Sequence, residues 1–198
     1  MSKAKLILGT ANMGVKPYGS MTEQMSLNEI NRIIDYARAN GIKTLESSEA
    51  YLCDPVLSLK FDLIYKVTHP YSIDTIKQNL GRDRFLGLLY HHGYKTRAVD
   101  MRHHSGVDYV GSSVYNAGQI SPNDEMIEVP LNLDNREFEK VTAPCKLVRS
   151  VFGRGELLKK YTIKECLDFV KNNPTVHGVV IGVDNVAQLA EIVSVWNA

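Results

Sequence analysis

A lysine, Lys66, stands inside the apolar run Phe61-Asp-Leu-Ile-Tyr-Lys-Val67. An ammonium buried in a strand is costly unless a carboxylate pairs with it, although a lysine at a strand end can also snorkel to water. Glu46, Tyr51 and His91 fall at the ends of neighbouring β-rich runs and supply the partners such a lysine needs. Together the four make a proton-donating site. A tyrosine ordinarily titrates at about 10. A nearby ammonium favours the phenolate and is expected to bring that value down toward working pH. The carboxylate holds the lysine charged and in place, and the histidine orients a carbonyl oxygen and shares in its protonation. Each residue alone is a weak signal, and Tyr51 by itself would more often be packing. The argument rests on their grouping.

The elements that must position them are short β-rich runs separated by polar or helical connections. The runs are Lys5–Leu8, Lys43–Glu46, Phe61–Val67, Phe85–His91, Val107–Val114, Met126–Leu131, Lys146–Phe152 and Gly178–Val183. Several, such as LGLLY and GVVIGV, are nearly continuous apolar segments, as parallel strands buried on both faces require. Helical spacing predicts helices over Asn28–Asn40, Ser72–Leu80, Thr162–Asn173 and Asn185–Trp196. The first stops at Gly41 in the manner of a C-cap, and the third opens on a threonine cap and ends before Pro174. This alternation predicts a compact (β/α)8 barrel with several shortened or missing outer helices, residues 1–198 forming one domain. The fold typically takes about 250 residues, with about 200 its lower end. The thin places are Leu52–Lys60, Gly93–Ser105 and Asn116–Glu125. There the wall is expected to be covered by irregular loops or by a second copy of the chain. A doubly wound open sheet is the competing fold.

Composition removes other functions. Lys plus Arg number 23 and Asp plus Glu 22, for a net charge of +1. That balance argues against a nucleic-acid site, which needs a clustered basic face. No apolar run approaches the roughly 20 residues of a membrane helix, and the N-terminal stretch is too short in apolar residues for a signal-peptide core. Cys53, Cys145 and Cys166 lack metal-ligand spacing and read as reduced thiols of a cytoplasmic protein. The pairs His91-His92 and His103-His104 raise the question of a metal-dependent hydrolase. Adjacent strand residues point to opposite faces, however, and the first strand carries no His-x-His, so no metal is expected.

In a barrel of this kind the reactive groups lie at the C-terminal strand ends. Read in order, these segments resemble the aldo-keto reductases nearly end to end. LILGTANMGVKPYG is similar to the family's opening strand and loop, and EINRIIDYARANGIKTLESSEAY to its first helix, second strand and tyrosine segment. DLIYKVTH, LGLLYHH, VGSSVYNAGQI, IEVPLNL, LVRSVFGRGELL and VHGVVIGVDNVAQLAEI follow in register. The likeness is greatest to the bacterial branch with an RSVF-type seventh strand.

The resemblance implies reduction of an aldehyde or ketone by hydride from NADPH or NADH. Tyr51 would be the proton donor, with Lys66, His91 and Glu46 completing the catalytic set. It also implies a cofactor-binding set. The nicotinamide would lie near Ser113 and Glu128, with Gly9 and Thr10 at the first strand end. The pyrophosphate would meet Ser150, Phe152, Gly153, Arg154 and Gly155, and the adenosine end Gly182, Gln188 and Glu191. A glycine-containing loop with an arginine suits a diphosphate physically, although GRG also reads as a plain turn before a helical Glu156–Lys160.

The chain departs from the family at four points. Glu46 replaces an aspartate, and Glu128 replaces a glutamine that can both donate and accept. Asp184 lies in the loop where NADP-specific members carry basic residues, and its charge should repel a 2′-phosphate. The connections between the second and sixth strands are short, which predicts an open pocket. The competing reading is a non-catalytic barrel of the same descent that binds a nucleotide or a protein partner.

Overall fold

The computed structural model describes residues 4–14, 23–51, 60–68, 73–91 and 106–198. Eight strands form a closed barrel in chain order: β1 (Lys5–Gly9), β2 (Thr44–Ser48), β3 (Asp62–Val67), β4 (Phe85–His91), β5 (Val107–Ser113), β6 (Met126–Pro130), β7 (Cys145–Arg149) and β8 (Gly178–Ile181). Every neighbouring pair is parallel. The barrel closes where β1 meets β8, with Lys5 opposite Gly178 and Leu8 opposite Ile181. The open-sheet alternative falls on that pairing.

Among the described residues four α-helices pack outside: α1 (Leu27–Ala39), α2 (Ile73–Leu80), α3 (Ile163–Lys171) and α4 (Val186–Asn197). Local chemistry sets their ends. The side chains of Ser26, Thr162 and Asn185 each accept from a backbone N–H of the first turn, and Thr162 with Glu165 completes a capping box. Each helix buries one stripe, as with Ile30, Ile33, Ile34 and Ala37 of α1, against the outward residues of the strands.

At Asn116–Glu125 the thinning read from the sequence is present. Between β5 and β6 there is only a one-turn 3₁₀ segment, Ala117–Gln119. Residues 52–59 and 92–105, which include most of the other two thin stretches with Cys53, His92, His103 and His104, lie outside the described residues. One thin place escaped the sequence reading: the β6–β7 connection, residues 131–144, contains no helix.

That connection is held by a lysine. Lys146 alternates with inward Cys145 and Leu147 and so points out of the barrel, where it is fully buried. Its Nζ donates to Phe138 O at 2.5 Å, Val141 O at 2.9 Å and Thr175 Oγ1 at 2.7 Å. A covering helix would satisfy its own carbonyls. Here an ammonium does so for an irregular loop, which lets Phe138 fill the wall. Lys146→Met is expected to lower stability by about 2–4 kcal/mol, since it takes the charged donor away from the carbonyls of Phe138 and Val141. Urea unfolding checks this, and a change below about 0.5 kcal/mol, the range of ordinary surface substitutions, would refute it.

Candidate active site

The site follows from the two-residue period of the strands. Ile7, Ile64, Leu89, Met126, Leu147 and Val180 form an apolar layer inside the barrel. Two residues further along the same strands, and therefore on the same inner face, stand Gly9, Lys66, His91, Glu128, Arg149 and Gly182. Glu46 and Ser48 of β2 and Ser113 of β5 lie in the same upper layer. The apolar layer seals the barrel, and the polar layer sits above it at the C-terminal end.

Lys66 is the centre of that layer and is almost completely buried. Its Nζ donates to the Tyr51 hydroxyl oxygen at 2.8 Å and to Glu128 Oε1 at 2.9 Å, and it forms a close ion pair with Glu46 Oε1. Glu128 Oε1 also receives Arg149 Nε at 3.2 Å and the Ser113 hydroxyl at 3.2 Å. Glu128 Oε2 is buried and has no hydrogen-bond partner among the described residues. Arg149 donates from Nη2 to Val114 O at 3.1 Å, and its guanidinium lies 4.2 Å from the ring centre of exposed Tyr115. His91 meets Tyr51 edge-on, with ring centres 6.1 Å apart, and its Nδ1 is 3.2 Å from the Ser48 hydroxyl. Two carboxylates thus face two cations, so the layer is close to charge-balanced in spite of its burial.

The acidities separate the two carboxylates. Burial pushes the Glu46 carboxyl up to about 7, with Lys66 opposing. Glu128 is equally buried, yet Lys66 and Arg149 together outweigh burial and hold it below the usual value. Burial works against the Lys66 charge, but Glu128, Glu46 and Tyr51 carry its pKa well above the ordinary lysine value. For Tyr51 the expectation from sequence is reversed. Burial raises the phenol, Glu46 and Glu128 raise it further, and Lys66 only partly opposes them. Tyr51 is a tyrosine kept protonated, not one poised to ionise.

The catalytic candidates Glu46, Tyr51, Lys66 and His91 are therefore brought together, with Ser113 and Glu128 beside them. Gly9 leaves room for the acid: a Cβ there would stand 3.2 Å from Glu46 Oε2. Thr10 is buried and donates to the Ser47 hydroxyl at 2.9 Å. Beyond β7 the chain turns through left-handed Ser150, Gly153, Arg154 and Gly155. Two non-glycine residues in that region mark a backbone held by its surroundings. Asn132 ties the turn down, its amide donating to Ser150 O at 2.9 Å. Phe152 is half-buried, and Gly153–Lys159 forms a 3₁₀ stretch.

Gly182, Gln188 and Glu191 sit apart from the tetrad, at the start and along the exposed side of the β8–α4 region. There Asp184 Oδ1 accepts from Asn12 at 2.5 Å, and its backbone N–H donates to Gln188 Oε1 at 2.7 Å. The sequence reading gave no role to Arg149 or Ser48. The signal for Arg149 was its place two residues after Leu147, on the inward face.

The architecture is a closed (β/α)8 barrel, and the solved structures that share it are aldo-keto reductases. The fold is shared with aldo-keto reductase AKR11C1 of Bacillus halodurans, solved in its holo form, at a TM-score of 0.76 and 15% identity over 100% of this chain and 88% of that one. PA4992 of Pseudomonas aeruginosa, classed with the aldo-keto reductases, matches at 0.75 and 18% identity over 99% and 90% of the two chains. A further Pseudomonas aeruginosa structure of that class gives 0.73 at 18% identity over the same shares. The resemblance read from the sequence thus extends to the whole three-dimensional fold. No protein-family model and no curated protein matches the chain by sequence.

Proposed function

We propose that the chain is a nicotinamide-dependent reductase of aldehydes or ketones in which Tyr51 protonates the carbonyl oxygen. The observation that carries this is the 2.8 Å donation from Lys66 to the Tyr51 oxygen. With its oxygen accepting from Lys66, the hydroxyl is held in place by the ammonium, and its own proton is the one it would give to a carbonyl oxygen. A carbonyl oxygen lying between Tyr51 and His91 would receive that proton as negative charge develops on it. The Ser48 hydroxyl contacts Nδ1 of His91 and so helps to orient the imidazole beside the carbonyl site.

The residues present fit the cofactor. Glu128 Oε2, buried and unpartnered, is the acceptor that a carboxamide NH2 needs, and Ser113 stands next to it. The Ser150–Gly155 turn would hold the pyrophosphate, and Gly182, Gln188 and Glu191 the adenosine end. When bound, a reduced nicotinamide supplies the hydride. The fixed carboxylate of Asp184 disfavours a 2′-phosphate, so NADH is expected to bind at least as tightly as NADPH.

Isothermal titration with NADH and NADPH, followed by turnover of short aldehydes, tests the proposal. Binding of either, with oxidation of the cofactor upon aldehyde addition, is the expected result. If neither binds up to about 1 mM, equivalent to about −4 kcal/mol, the reading fails in favour of a barrel without turnover.

A further inference from the structure

We propose that Glu128 is a positioning residue for the proton donor: a second counter-ion, braced by Arg149, that fixes the Lys66 ammonium against the Tyr51 hydroxyl. The inference rests on the reductase reading of the site and concerns a contact that reading does not require.

The contacts of the ammonium carry the argument. Lys66 Nζ donates to Tyr51 and to Glu128, and Glu46 stands against it as a close ion pair. The ammonium is thus held between two carboxylates and cannot turn away from the tyrosine without loosening one of those ion pairs. With Glu46 alone, it would have one carboxylate fewer in a site that is almost wholly buried. Arg149 would then stand as a second cation near Lys66 with nothing between them. Glu128 Oε1 takes both cations, Lys66 at 2.9 Å and Arg149 at 3.2 Å, and separates like charges. Arg149 is itself held by Val114 O and stacked on Tyr115, so Glu128 is anchored from two further elements.

The arrangement has a consequence for pH. The ionisable groups facing Tyr51 are Glu46 on β2, Lys66 on β3, His91 on β4, Glu128 on β6 and Arg149 on β7. Each carboxylate opposes the phenolate, so Glu128 helps to keep the donor protonated as pH rises. Reduction needs the protonated form. The wild-type rate should therefore hold to about pH 10, the ordinary tyrosine value, or beyond. Removing the Glu128 charge should bring the alkaline limb down.

The test compares Glu128→Gln with Glu128→Asp, after circular dichroism has established that each is folded. The readout is the pH profile of kcat for aldehyde reduction with NADH. Glu128→Gln is expected to lower kcat by about 10-fold or more and to start its alkaline decline about one pH unit or more below wild type. Glu128→Asp keeps the charge and should keep the limb near its wild-type position, even if kcat falls. Superimposable profiles for Gln and Asp would overturn the proposal. So would a rise in KM for NADH with an unmoved limb, the mark of a residue that only holds the nicotinamide. If Glu128→Gln does not fold, Asp is compared with Glu128→Gln/Arg149→Met, which restores charge balance. Tyr51→Phe serves as the control: its retained turnover would take the donor role from Tyr51, whereas absence of NADH oxidation in the wild type would sink the reductase reading itself. Loss of turnover in Tyr51→Phe, together with an unchanged Glu128→Gln profile, would sink only the role given to Glu128.

Discussion

Exchange of Lys66 for methionine is expected to lower stability by about 3–5 kcal/mol near neutral pH, the cost of breaking a buried ion pair on one side. Methionine fits the volume and the apolar layer below, so packing is not the reason. The reason is that Glu46 and Glu128 would remain buried with one cation fewer, Arg149 being the cation still paired with Glu128. The sign with pH follows from linkage. In wild type the Glu46 carboxyl already sits at about 7 against an ordinary 4.5, so folding takes up a proton between those values. Without Lys66 both acids should be raised. A raised carboxyl leaves the unfolded state with fewer protons than the native one, and stability then falls as pH increases. The penalty should therefore be smallest near pH 4.5 and largest above 7. Urea unfolding across this range checks the shape. A flat penalty would mean that the carboxylates do not face one another through Lys66.

Much of this centre could be read without coordinates, for a reason that lies in the strand period. A run such as Phe85–His91 is apolar nearly throughout because both its faces are buried, and its bounds agree with β4 residue for residue. Once the strands are set, Lys66 and His91 must share an inner face, since each follows an inward apolar residue by two. The Gly41 stop of α1 and the threonine cap of α3 were local signals and were equally legible.

What failed was non-local. The direction of the Tyr51 shift depends on how many carboxylates crowd one ammonium, and Glu128 comes from a strand far along the chain. Sequence gave it a place beside the cofactor but not its contact with Lys66. Arg149 passed unused because an arginine beside a turn is commonplace until Glu128 is seen facing it. The helix-free β6–β7 wall was hidden for the same reason. Lys146 reads as an ordinary strand lysine, and only the fold reveals that carbonyls from 138 and 141 converge on it.

Tyr51→Phe should have the largest effect on chemistry and one of the smallest on structure. The ring stays, and with it the edge-on contact to His91. Lys66 loses one acceptor but keeps two carboxylates, so the ammonium remains compensated. The stability change should be about 1 kcal/mol, that of one hydrogen bond. The proposed reaction would lose its proton donor, and of the groups around it only His91 also faces the carbonyl. Glu128 and Arg149 are committed to each other, and Lys66 is held so firmly that its proton is harder to give up than that of an ordinary lysine. A general acid contributes typically about 10²–10⁴-fold, and kcat for aldehyde reduction should fall within or beyond that range. NADH affinity should change by less than about 3-fold, because the phenol is not among the groups assigned to hold the cofactor. Calorimetric binding and single-turnover oxidation of NADH on the same preparation separate the two effects. Retained turnover with retained binding would transfer the donor role to His91, the remaining neighbour of the carbonyl. Loss of both would mean that Tyr51 shapes the cofactor site and is not the acid.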